Sequence, residues 1–532
     1  MPDLKPNFRM LCARVLLIAS VLLSHTALQG AGQNTDAAAR EDRGLELAHA
    51  GDLAGAESEL RAAVALAPNE AEFQANLATV LAVEKKLDES TRFFESALKL
   101  DPSNPTTRLY LAANLWQQHR YLEARQNLLL ILKEKPNDAP SRLLLGMVAE
   151  NMKDYGTAVR MLSSVPAELR KQPESIGALA VSYYHLGENE KAQSTLELLK
   201  SSPSGTRAVL LGAQIADEMA DYETAEQLLN SIRSSYPDEE DWRYRLATVQ
   251  LHAGRFRKCE QTLLQSVAAR SATGQTFNLL GWCYQKQDQV DNAIRAFENG
   301  TKIQPSNESN YLDLGNVLLA NNRVPAALEL AKKASDAHPS SARVFAMRGS
   351  IEMRAGQFSD ALRSYGRAKE LDSTLADAAL GLGDAEFSGG MKKDAENTFA
   401  AGTQKFPKDA RFPLHYALVL LKQAETGDQA GQKHAEELLK SAVKLDPILL
   451  EAHYQLAELA LKNGDNSDAL REYETTAKLD PQSARPHFGL AKVYRRLGRV
   501  AEASHETELF QKLQQKKSKS AEAPPSMEGS KH

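Results

Sequence analysis

Prolines set the frame of this 532-residue chain. Pro68, Pro102 and Pro136 stand 34 residues apart, and the same interval separates Pro305 from Pro339 and Pro447 from Pro481. Pro237 to Pro305 and Pro339 to Pro407 are each 68, two intervals, while Pro407 to Pro447 is 40, one interval with six residues added. A constant period of this size argues for a row of small units, each too short to bury its apolar face alone, stacked on its neighbours.

Within a period the apolar residues keep helical spacing. The clearest copy reads Phe277, Leu280, Gly281, Tyr284, Ala293, Phe297 and Pro305. This resembles the tetratricopeptide repeat, a 34-residue helix-turn-helix unit, and departs from it only in the aromatic at the first position. Set in that frame the chain holds fourteen copies, starting near residues 37, 71, 105, 139, 173, 206, 240, 274, 308, 342, 376, 410, 450 and 484. A small residue recurs in each second helix, from Ala56 and Ala124 to Ala469 and Ala503, with Ser90 and Cys259 as the substitutes. The resemblance implies an all-α solenoid over residues 37–515, wound as a right-handed superhelix. In this reading Gly281, Gly315, Gly349 and Gly383 face the small residue of the second helix, where the lack of bulk lets two backbones approach. The proline ends the second helix by removing a donor and clashing with the preceding turn.

Departures are local. The closing proline is missing at Arg170 and Ser204, which leaves the turns of the fourth to sixth repeats less defined. The added residues of the twelfth repeat, around 425–433, are expected to lengthen the loop between its helices. Glu506–Lys517 continues the last helix and caps the array, and the Ser- and Pro-bearing residues 518–532 read as a disordered tail.

The first 31 residues stand apart. Lys5, Arg9 and Arg14 precede an apolar run, Val15–Leu28, and small residues follow at Gly30, Ala31 and Gly32. That order matches a cleavable secretory signal, and the run falls short of the roughly 20 residues that span a bilayer. The chain is therefore expected to be exported, periplasmic or secreted and bacterial, with no stable membrane span after cleavage. Composition fits a folded protein, with 42% hydrophobic and 25% charged residues. The formal charge of -5 gives no global basic field, so nucleic acid is not expected as a partner. Cys12 lies ahead of the apolar run, where no lipid-accepting cysteine would be. Cys259 and Cys283 are expected to be buried free thiols, with a disulfide between stacked neighbours left open.

No stretch is left over for a catalytic domain, and no phosphate loop, HExxH, paired CxxC or GxSxG occurs. Ser96-x-x-Lys99 and Ser441-x-x-Lys444 match a serine-nucleophile pattern, but both fall at one position of the repeat. Gly381-x-Gly383 begins a dinucleotide fingerprint and fails at Glu386. His415, His453 and His487 come from successive repeats as packing residues, with Glu451 the only carboxylate in view for a metal. Neither an enzyme nor a cofactor or metal site is expected.

In this family the first helices line a concave groove that holds extended peptides or helices. At the corresponding positions the third and fourth repeats carry Leu109, Tyr110, Trp116, Leu143, Leu144 and Met147, as anchors or as packing. The eighth and ninth offer Asn278, Trp282, Gln285 and Asn316. Towards the C-terminus the positions become cationic, with Arg411, Lys422, Lys462, Arg485, Lys492, Arg495 and Arg496, interrupted by Glu451 and Glu458. Guanidinium groups there would favour an acidic segment or a terminal carboxylate, unless they are merely a solvated face. No Lys/Asn clamp of the chaperone-tail readers is present, and Asn76, Asn278 and Asn316 are too few for the asparagine ladder of the sugar-transferase arrays. The reading is a non-enzymatic scaffold or assembly factor that binds protein or peptide partners. The alternative is a structural spacer subunit of a cell-envelope complex, for polysaccharide export or outer-membrane assembly.

Overall fold

The computed structural model describes residues 34–423 and 429–522. The expected signal segment lies outside them. The described residues form 29 α-helices and no strand, and contacts divide them into a unit ending at Ala272 and one beginning at Thr273.

In the first unit the helices come in pairs: Asn34–Ala50 with Leu53–Leu66, Ala71–Val83 with Leu87–Leu100, and Pro105–Gln117 with Tyr121–Glu134. Four further pairs open at Ala139, Pro173, Thr206 and Glu239. In the second unit first helices open at Gly274, Glu308, Ala342, Ala376, Arg411, Leu450 and Arg485. These starts fall within about three residues of those read from the proline frame. One apolar cluster runs through the first unit from Ala78 to Val249, and shorter clusters follow one another along the second.

Local chemistry fixes each boundary. Asn104 caps the helix Pro105–Gln117 by accepting from the backbone of Thr106 and Thr107, with Pro105 pre-set in its first turn. Between the two helices of a repeat one residue takes a left-handed backbone at the same position in every described turn. It is a glycine at Gly254 (φ 70°) and Gly356 (φ 75°), but Lys85 (φ 68°), His119 (φ 61°) and Lys153 (φ 62°) elsewhere. Between repeats, at four seams, the fourth residue of a first helix reaches back to the carbonyl of the preceding proline. Gln74 donates to Pro68 O at 2.5 Å, Arg108 to Pro102 O at 2.6 Å, Arg142 to Pro136 O at 2.7 Å and His453 to Pro447 O at 3.0 Å. A carbonyl left open where a helix ends is thereby satisfied.

Five expectations change or sharpen. The glycines do not face the small residue. A Cβ on Gly281 would stand 2.7 Å from the Phe297 ring, one on Gly349 2.8 Å from Tyr365 and one on Gly383 2.6 Å from Phe399. The missing bulk admits a large side chain one turn beyond the small residue. In the ninth repeat, where Ala331 holds that place, Met347 of the next first helix enters over Gly315 instead. Ala293, Ala361 and Ala395 are themselves fully buried, and Ser90 is accommodated by donating to Ala78 O at 2.7 Å.

The second helices of the fourth to sixth repeats are cut short, at Tyr155–Ser163, Asn189–Glu197 and Tyr222–Ser231. Each is completed by a separate turn: Pro166–Leu169, Leu198–Ser201 and Arg233–Ser235. Pro166 stops the first of these from continuing, for want of an N–H and for the clash of its ring.

In the twelfth repeat the second helix, Gln429–Leu445, has 17 residues where Val290–Ile303 has 14. Part of the insertion has become an extra turn rather than loop, while 424–428 lie outside the described residues. At the C-terminus the last helix, Val500–Glu522, runs through the first residues of the expected tail, of which 523–532 are not described. Finally, Cys259 and Cys283 are buried and both are disulfide-bonded, so neither is the free thiol expected.

Candidate functional site

The first helices carry most of the polar chemistry, and much of it is spent between neighbours. Asn76 donates to Glu41 at 2.6 Å, Tyr184 to Asp221 at 2.7 Å, and His252 meets Asp217 at 2.9 Å. In the second unit Arg343 lies 3.7 Å from Glu308, Arg411 2.7 Å from Asp377, His415 2.7 Å from Asp384 and Arg485 3.1 Å from Glu451. Each pair joins consecutive repeats, about 31 to 37 residues apart, and all but one join first helices, the exception being Asp221, which caps the second helix Tyr222–Ser231. The repeats are stitched by groups that sequence spacing alone presents as a binding face.

The aromatic stretch of the third and fourth repeats belongs largely to the core. Trp116 is 8% exposed, and its indole N–H donates to Asn151 at 3.0 Å. Met147 is 4% exposed and receives the Ser175 hydroxyl on its sulfur at 3.3 Å. Leu143 and Leu144 are buried with them. Tyr110 is half-buried beside Phe94, with ring centroids 6.4 Å apart. Trp116 and Met147 are thus packed between adjacent repeats, with little surface left exposed.

The amide and aromatic residues of the eighth and ninth repeats converge on a carboxylate that the sequence reading did not single out. Asn278 donates to Asp313 Oδ2 at 2.8 Å and Trp282 Nε1 to the same oxygen at 3.3 Å. Asp313 is 7% exposed, and burial raises its carboxyl above the ordinary value, opposed by those two hydrogen bonds. The Trp282 indole stands edge-on to Phe297, centroids 5.9 Å apart. Asn316 is exposed one turn beyond Asp313. The only signal for Asp313 was an acidic residue on the helix face that faces Asn278.

The last first helix, Arg485–Arg496, presents cations to solvent. Arg485 stacks on Tyr454 at 4.0 Å and Lys492 stands over Phe488 at 4.3 Å. Arg495 donates to the Thr507 hydroxyl at 3.0 Å and Arg496 to the carbonyl of Leu461. Among the described residues no carboxylate lies within 4 Å of Lys462, Lys492, Arg495 or Arg496. Beneath them Glu458 accepts from both Tyr454, at 2.8 Å, and Tyr473, at 2.6 Å. Tyr473 is fully buried, and burial followed by that bond drives its hydroxyl far above the usual range. Lys422 stands over Phe387, and Arg411 is held between Asp377 and Asp409.

The three histidines are not a ridge of equivalent groups. His453 is 2.7 Å from Glu472 and His487 is 2.6 Å from Glu506, each on the paired second helix, whereas His415 turns to Asp384. Among the described residues no three His, Cys, Asp or Glu side chains converge as metal ligands.

Two family models described as tetratricopeptide repeat match this chain. One covers residues 41–105, 346–410 and 454–519, and the other 84–148, 217–275 and 284–351. Human O-mannosyl-transferase TMTC1 is 26% identical over 200 residues, which are 36% of this chain and 23% of that protein. The type IV pilus assembly protein PilF of Pseudomonas aeruginosa is 27% identical over 197 residues, 36% of this chain and 78% of its own length. Among solved structures, yeast Tom70 aligns over 91% of this chain and 97% of its own, with 15% identity and a TM-score of 0.41. No helix among the described residues is long and apolar enough to cross a membrane.

Proposed function

Because the chain belongs to the tetratricopeptide repeat family, we propose that it is an exported, non-enzymatic scaffold or assembly factor that holds polypeptide segments against its first helices. The observation that carries this reading is the exposed basic set on Arg485–Arg496. Lys492, Arg495 and Arg496, with Lys462 one repeat earlier, have no carboxylate partner among the described residues, whereas Arg411 and Arg485 each have one. Exposed cations without a carboxylate partner favour an acidic partner segment, and Phe488, 44% exposed, adds an apolar contact beside them.

Export is supported by the basic-then-apolar order of the first residues and by the disulfide-bonded state of Cys259 and Cys283, which persists in oxidising compartments. The likeness to a pilus assembly protein accords with an assembly role.

The test is capture of partners by the mature protein from its host, compared with a variant in which Arg485, Lys492, Arg495 and Arg496 are changed to Glu. The expected result is salt-sensitive capture that the variant loses. Capture that survives the reversal and resists salt would remove the basic end from consideration.

A further inference from the structure

Asp313 presents a problem of charge balance. A carboxylate taken almost wholly out of water costs several kcal/mol unless a cation meets it. Here Oδ2 has two neutral donors, Asn278 and Trp282, and among the described residues no basic side chain comes within ion-pair distance of it. Arg343, on the next first helix, acts on Asp313 only through longer-range charge attraction and lies 3.7 Å from Glu308. The surroundings are matched to a cation in two other respects. Trp282 supplies an indole beside the carboxylate, a surface that attracts positive charge. Gln285, on the same helix face one turn beyond Trp282, has a buried side-chain carbonyl with no donor.

We propose that Trp282, Gln285 and Asp313 form a subsite for an arginine side chain of an extended partner polypeptide. A guanidinium carries several N–H groups in one plane, so it can donate to the carboxylate and to the Gln285 carbonyl together while its face lies on the indole. The exposed Asn316 is placed to meet the partner's backbone rather than its charge. The proposal deepens the scaffold reading and rests on it, since it assigns a basic residue to one end of the second unit's first-helix face. It is independent of the acidic segment favoured at the other end.

The test uses the full mature chain and a short Gly/Ser peptide carrying arginines, with glutamine and glutamate versions as comparisons, read by fluorescence anisotropy. Asp313→Asn keeps the shape and the oxygen that accepts from Asn278 and Trp282. It is expected to weaken the arginine peptide about tenfold or more. Asp336→Asn, an equal charge change at an exposed position, is expected to leave binding as it was. Trp282→Phe is expected to weaken it as well, with circular dichroism and a thermal melt confirming that each variant folds. Equal binding of the arginine and glutamine peptides would overturn the subsite, as would an Asp313→Asn affinity unchanged in a folded variant. If sedimentation instead finds wild-type dimers that Asp313→Asn dissociates, the occupant is a second copy of the chain and the peptide assignment falls. Loss of the arginine subsite with partner capture intact leaves the scaffold reading standing, whereas a chain that captures no polypeptide removes that reading itself.

Discussion

The ring of Tyr365 occupies the space that any side chain on Gly381 would need: a Cβ there would lie 2.2 Å from its Cε1 and Cζ. The same ring lies 2.8 Å from where a Cβ on Gly349 would stand, so it is held between first helices of two consecutive repeats. Its hydroxyl is 2.8 Å from that of Ser350, and burial pushes it up to about 12. Gly381→Ala is therefore expected to overpack this contact and destabilise the array by about 1–3 kcal/mol. Urea unfolding followed by circular dichroism checks this, and Tyr365→Leu in the same chain should recover much of the loss. A neutral Gly381→Ala would mean that the ring moves aside freely.

Lys153 sits with φ 62° at a turn where other repeats place glycine. A left-handed backbone strains a residue with a Cβ by about 1–2 kcal/mol, partly offset by the greater unfolded-state freedom of glycine. Lys153→Gly should accordingly stabilise the fourth repeat, by about 0.5–1 kcal/mol, and Gly356→Ala should destabilise the tenth. Hydrogen exchange of the flanking helix ends reads both changes locally.

His252 and Asp217 give a pH dependence with a definite sign. The hydrogen bond to Asp217 raises the imidazole above its ordinary value of 6.5, burial works against it, and the carboxylate's charge adds to the rise. The folded state thus binds the proton more tightly than the unfolded chain. The stabilisation is fully present below 6.5 and disappears as pH rises through the folded value. Local protection in the helix Glu239–His252 should fall over that interval, and His252→Gln should flatten the profile. An NMR titration of His252 with a midpoint at or below 6.5 would contradict the assignment.

Thiol accounting provides a fourth check. Under denaturing conditions without reductant, Cys259 and Cys283 should resist alkylation, and both should become reactive once dithiothreitol is added. Mass spectrometry of the peptides reports each cysteine separately. Quantitative alkylation before reduction would return both residues to the state that their sequence context suggested.

The helix starts were legible because the proline period and the repeat template fix them, and local caps such as Asn104 before Pro105 and Asp138 before Ala139 then hold them in place. What glycine faces was not legible. A 34-residue template gives the position of Gly281 but not how far across the interface Phe297 reaches, and only packing in three dimensions decides that the large residue, not Ala293, fills the gap. The same limit explains Trp116 and Met147, since helical spacing puts core and groove residues on overlapping stripes of a first helix. Asp313 escaped notice because a lone acid carries no pattern. Its meaning arises only when Asn278 and Trp282 arrive from the previous repeat. The pairing of Arg485 with Glu451 was equally hidden, although both residues were in view. Repetition tells which residues are equivalent, and contact tells which of them are already occupied.

The reach from Gln74, Arg108, Arg142 and His453 to a preceding proline carbonyl crosses the seam between repeats. Donor and acceptor therefore belong to different copies, and the second and third copies each supply one of each. Removing or duplicating a whole period at one of these seams leaves that bond closed, whereas the added residues of the twelfth copy fall within the copy, partly as an extra turn of its second helix. Among these copies recombination can therefore change the array in whole steps without stranding the proline-carbonyl bond, whereas pairs such as Asn76 with Glu41 hold only between their own neighbours.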